Sequence, residues 1–97
     1  MQFARRLREG IRSGRITCTI RIWHRPRVKV DGIYPMEGGR VVVTSIRQIA
    51  IGDITGELAR RSGFEGVVDL LKVAKHGSGT NVYLIEFEYS EPTDESA

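Results

Sequence analysis

The hydrophobic period of the chain changes once near its start, at Gly14, and that change limits what it can fold into. Before it, Phe3, Leu7 and Ile11 recur every fourth residue with Arg5, Arg6, Arg8 and Arg12 between them, the pattern of a short helix with one apolar stripe. After it the period is two. Ile16, Cys18, Ile20 and Ile22 fall on one side of an extended chain, and Arg15, Thr17, Thr19, Arg21 and Trp23 on the other, so a strand with one core face and one cationic face is expected. Gly14 is well placed to end the helix.

The rest of the chain alternates in the same way. Val28–Val30 is read as a short strand after the basic loop around Pro26, with a turn at Asp31-Gly32, and Tyr34–Gly39 as a connection rich in turn formers. Arg40–Ile49 is β-branched enough to be a central strand. Asp53 or Thr55 can cap a short helix to about Arg61, which Gly63 closes. A second helix, from about Glu65 to His76, buries Val67, Leu70, Leu71 and Ala74. Asn81–Tyr89 is the last strand, in which Tyr83 alternates with Ile85 and Phe87. This order predicts an α+β fold with a small mixed sheet or incomplete β-barrel and flanking helices. With 97 residues there is room for one hydrophobic core. The domain is expected to span residues 1–89, followed by a disordered acidic tail over 90–97.

Charge is unevenly placed. Residues 1–30 hold nine Lys and Arg against one acid, Glu9, whereas residues 31–97 hold six against eleven. A basic segment on an otherwise acidic chain makes a directional field, suited to a polyanion such as nucleic acid, although a solvated charge run has the same composition. No apolar run reaches the length of a membrane span, and the N-terminus lacks the apolar stretch of a signal peptide. One cysteine, Cys18, cannot form an internal disulfide. These features point to the cytoplasm. No P-loop, HExxH, GxSxG or dinucleotide glycine motif is present. Two histidines and one cysteine are too few for a metal cage, so neither a metal nor another cofactor is expected.

The candidate binding residues are therefore the basic ones. Arg15, Thr17, Arg21 and Trp23 could line a groove in which guanidinium groups meet phosphate and the indole stacks a base; Trp23 could equally pack under a helix. Arg25 and Arg27 add a cationic loop, and Lys72 and Lys75 a second basic cluster, though Lys75 and His76 also suit the end of a helix. If RNA is cleaved, the chemistry is expected to be metal-independent, with His24 or His76 as acid and base and Lys29 or Lys75 stabilising phosphate charge. Cys18, expected among isoleucines, is a poor nucleophile.

The run Gly14-Arg15-Ile16-Thr17-Cys18-Thr19-Ile20-Arg21, after an amphipathic helix and with the terminal strand Val82-Tyr83-Leu84-Ile85-Glu86-Phe87, resembles the ASCH family of the PUA-like superfamily. Its pattern there is Gly-x-Lys-x-x-Glu/Thr-x-Arg, and the order of elements agrees over residues 3–89. The resemblance implies a twisted, partly closed barrel with a cleft that binds RNA, single-stranded or structured. Some members are amidohydrolases acting on acetylated cytidine, and others have been read as ribonucleases. Gly14, Thr19 and Arg21 match the motif. The position of the amidohydrolase lysine holds Ile16, which can be neither cation nor base, and the acidic position falls near Ser62, with Glu65 close by. Thr19 would be the nucleophile of such a hydrolase, with its base relocated.

Overall fold

The computed structural model describes residues 1–74 and 79–91. The chain opens with a 3-10 turn, Arg5–Leu7, that runs into helix α1, Arg8–Arg12. Phe3, Leu7 and Ile11 are buried, as their spacing predicts. Gly14 takes φ +83° with open space around it, so the left-handed backbone rather than crowding is what calls for glycine here. Strands β1 (Cys18–Trp23), β2 (Ile33–Met36), β3 (Gly39–Ile49) and β4 (Asn81–Ser90) form one sheet in the order β1-β4-β3-β2. Helices α2 (Gly56–Arg61) and α3 (Val67–Ala74) lie between β3 and β4 in the chain.

The fold is α+β, but the sheet is antiparallel throughout rather than mixed. Each strand pairs with a neighbour running the other way, so no parallel crossover is needed. A register shift between Val43 and Ser45 leaves Thr44 as an extra residue opposite β4; a bulge of this kind bends a strand and increases its twist, and the sheet curls into a half-barrel.

Two boundaries differ from expectation. The expected strand at Val28–Val30 is a loop, and the segment read as a connection, Ile33–Met36, is β2. Val28 is instead drawn into the core, while Gly32 N–H donates to the Lys29 carbonyl at 2.9 Å and Asp31 takes φ 69° to turn the chain. Pro35 is tolerated because β2 is an edge strand, where a missing N–H costs no ladder bond. Glu37 and Gly38, both at positive φ (50° and 83°), make the two-residue turn into β3, the geometry that matches strand twist. Arg8 secures this hairpin to the N-terminal segment, its Nη1 pairing with Glu37 at 2.9 Å and its Nε donating to the Phe3 carbonyl at 3.1 Å.

The helices follow their caps. Thr55 Oγ1 accepts from Leu58 N–H at 3.1 Å, and Gly63 closes α2 at φ +95°. Asp53 serves the preceding 3-10 turn, its carboxylate accepting from Ala50 N–H at 2.9 Å. In α3, Leu70 and Ala74 are buried and Val67 and Leu71 pack beside them. Lys75 and His76, expected in its last turn, lie outside the described residues. Ser90 belongs to β4 and Glu91 lies 3.9 Å from Arg12; residues 92–97 of the expected tail are outside the described set.

Both sides of β1 are buried, which the alternating pattern did not predict. Cys18, Ile20 and Ile22 join Leu7, Ile11, Phe64 and Leu70 in one apolar cluster. Trp23 joins Val28, Val43, Tyr83 and Ile85 in a second. Burying apolar surface on both sides of a small sheet raises the share of chain removed from water, the main stabilising term available to a domain of this size.

Candidate functional site

A strand at the end of a sheet carries unpaired main-chain groups along one side, and in this fold β1, an edge strand, borders a large cleft. Phe87 N–H donates to the Thr17 carbonyl at 3.0 Å. Hydrogen-bonded pairs alternate in an antiparallel ladder, so Thr19 and Arg21 also exchange bonds with β4 while the main-chain groups of Cys18, Ile20 and Ile22 turn to the free side. The cleft beside them is about 590 Å³. Its walls are the N-terminal segment with Phe3 and Leu7, the β1 residues Thr19, Ile20, Arg21 and Trp23, the loop residues Arg27 and Val28, and Phe64 with Val73 and Ala74 from the helical side.

Arg21 is the central cation. Its Nε donates to Thr19 Oγ1 at 3.1 Å and one terminal nitrogen donates to the Gln2 carbonyl. The guanidinium carbon lies 5.2 Å from the Phe3 ring centroid, within reach of a cation–π attraction. Burial lowers its pKa, because a low-dielectric surround penalises the charged form; from so high a starting value the group stays cationic at neutral pH. It forms no ion pair among the described residues. The protein therefore holds a partly desolvated positive charge against the cleft with its donor capacity only partly used.

Of the two roles open to Trp23, the packing one describes its surroundings. The residue is 7% exposed, with Tyr83 tilted against it at 6.3 Å and the Arg27 guanidinium carbon 5.7 Å from its ring. The indole is a wall of the second apolar cluster, and Arg27 covers it, whereas the other role needs an open stacking platform. The basic loop 24–32 folds back so that Val28 packs against the same cluster, a long-range event with no local sequence signal. What sequence reasoning missed is the pair of contributions from elsewhere: Phe3 beneath Arg21, and the main-chain edge at Ile20. Strand pairing alone determines which edge is free.

The remaining candidates scatter. Arg15 and Thr17 precede β1, and both are exposed; Arg15 lines a different depression with Arg6 and Arg60. The alternation holds here, with Arg15 and Thr17 exposed and Ile16 and Cys18 buried, but Arg15 lies beyond the end of β1 and outside the main cleft. His24 and Arg25 line a third depression, which Arg27 shares, and the His24 carbonyl accepts from Asn81 Nδ2 at 2.6 Å. Lys29 is exposed, its N–H donating to Tyr34 Oη at 3.1 Å. Lys72 is exposed on α3 and lines none of these three depressions. Lys75 and His76 lie outside the described residues.

The hydrolytic set is similarly dispersed. Thr19 is 8% exposed and its hydroxyl faces Arg21, a donor that cannot act as a base. Ile16 packs as core, and Ser62 is buried with its hydroxyl donating to the Leu58 carbonyl at 3.0 Å, 3.5 Å from Cys18 Sγ. Glu65 is exposed and does not line the cleft. Among the described residues the cleft walls carry arginine but no carboxylate, lysine or histidine. No helix among the described residues is long and apolar enough to cross a membrane. Compared with known proteins, the chain matches no family model, no curated protein and no solved structure.

Proposed function

We propose that the protein is an ASCH-type, PUA-like module of the cytoplasm that binds RNA in the cleft along the free edge of β1. The observation that carries this reading is Arg21: a half-buried guanidinium, without a carboxylate partner among the described residues, held at the cleft by Thr19, Gln2 and Phe3. A cation already removed from bulk water and fixed in direction binds a phosphate or a base edge with less reorganisation than a free surface arginine. Arg27 supplies a second charge at the loop wall, and its displacement from Trp23 would uncover an aromatic face for an unpaired base. The basic first third of the chain adds the long-range attraction.

The test is a titration of isotope-labelled protein with a short single-stranded RNA, followed by NMR. Shifts concentrated at Gln2, Ile20 and the Arg21 side chain are the expected result. Shifts confined to the β2 edge, on the far side of the sheet, would overturn the reading. RNA recovered intact is expected from a cleft with no acid–base pair on its described walls, and cleavage that survives in a His24→Ala, His76→Ala double variant would exclude those two side chains from it.

A second reading uses the same cleft for a single modified nucleoside, with Thr19 as nucleophile toward an acetylated cytidine. It is favoured only by the place of Thr19 in the cleft lining, and no described residue of that lining supplies a base to activate its hydroxyl. Turnover of acetylcytidine that disappears in Thr19→Val would establish it, and no turnover at high protein concentration would dismiss it.

A further inference from the structure

Arginines that surround one floor without acidic neighbours repel each other, and their charge is best offset by an anion from outside. Arg6, Arg15 and Arg60 come close to this position, with Asp69, 3.8 Å from Arg6, as the one acidic contact among the described residues. They come from three separate segments and line one open depression of about 470 Å³. Its floor is made of Gly10, Ile16 and Gly63. A Cβ at Gly10 would lie 2.6 Å from Ile16 Cδ1 and 3.4 Å from Arg15 Nη2, and one at Gly63 would lie 2.8 Å from the same Ile16 Cδ1. Both glycines therefore pack closely against Ile16, and a side chain at either would push into this wall of the depression. Arg6 leans on the Phe64 ring at 5.1 Å, with Nη1 3.5 Å from the Gly63 carbonyl.

Arg15 and Arg60 form no ion pair among the described residues, and Arg6 has only an open contact of 3.8 Å to Asp69, with both side chains exposed. Among the described residues, no carboxylate lines the depression. Leu7 borders both this depression and the main cleft, so the two sites are neighbours across one side chain.

We infer that Arg6, Arg15 and Arg60 form a phosphate-binding subsite, which takes the backbone phosphate adjoining the nucleotide held in the main cleft. The strand crosses Leu7 between the two. Guanidinium groups that converge from separate segments can each direct a pair of N–H donors at phosphate oxygens. The inference rests on the reading of the main cleft as an RNA site, and its test separates the two.

Inorganic phosphate, added against a chloride control of equal ionic strength, is followed through the arginine Nε–H resonances. Arg6, Arg15 and Arg60 are expected to shift together and saturate, with Arg25 unmoved, and the response is expected to vanish in the Arg15→Gln, Arg60→Gln double variant. Uniform small shifts at all arginines, or none, would overturn the subsite. In parallel, short RNAs carrying one uncharged methylphosphonate linkage are compared with the normal strand. The wild type is expected to lose about tenfold in affinity at one linkage position, as removal of a charge-assisted contact predicts, and the double variant is expected not to discriminate. RNA binding without such a position would overturn the subsite and leave the cleft standing. Saturable phosphate shifts in a protein that binds no RNA would overturn the cleft and leave a phosphate site alone.

Discussion

Cys18 and Arg21 lie three residues apart on one strand and meet opposite environments. Cys18 is 1% exposed, with its sulfur beside the Ser62 hydroxyl. Because thiol reagents need access to the thiolate, native protein is expected to react with a disulfide reagent at least about a hundredfold more slowly than protein in denaturant, as the reaction must wait for opening. Fast labelling of the folded protein would contradict this packing. The sequence showed the burial of Cys18 directly, from its place among isoleucines at period two. It did not show the surroundings of Arg21, which depend on Phe3 and Gln2 from a segment eighteen and nineteen residues earlier. Trp23 was ambiguous for the same reason: only the return of loop 24–32 decides that its ring is covered.

At the scale of elements, periodic segments were legible and punctuated ones were not. The first helix, β3, α2, α3 and β4 each carry an apolar pattern or a cap that the structure uses directly. β2 was missed because four residues containing a proline give too short a pattern, and its partner in β3 rather than its own sequence makes it a strand. The link from α3 back to the sheet depends on Gly79, where a Cβ would meet the Trp23 main chain at 2.6–2.7 Å. Neither backbone can easily give way. Gly79→Ala is therefore expected to cost about 1–3 kcal/mol, the usual range for overpacking, and to lower the urea midpoint without changing the slope. A variant as stable as the parent would show that the chain does not approach β1 so closely.

Across the whole molecule, the sequence showed a charge asymmetry without showing how it is used. Not all of the early cations face the clefts: Arg8 ties the N-terminal segment to Glu37 at 2.9 Å, and Arg12 has an open contact of 3.9 Å to Glu91. Arg21 and Arg27 remain at the main cleft, Arg15 at its neighbour, and one edge of the curled sheet is β1, which borders the main cleft, while the other is the short, proline-bearing β2. After folding, the early cations divide between ion pairs within the protein and the walls of the two depressions. The most direct test is the salt dependence of single-stranded RNA binding by wild type, Arg21→Gln and Arg27→Gln. Affinity that falls steeply with salt, with a slope reduced by about 0.7 for each arginine that contacts a phosphate, is what a cationic cleft predicts. Salt-insensitive binding, or the same slope in all three proteins, would contradict it.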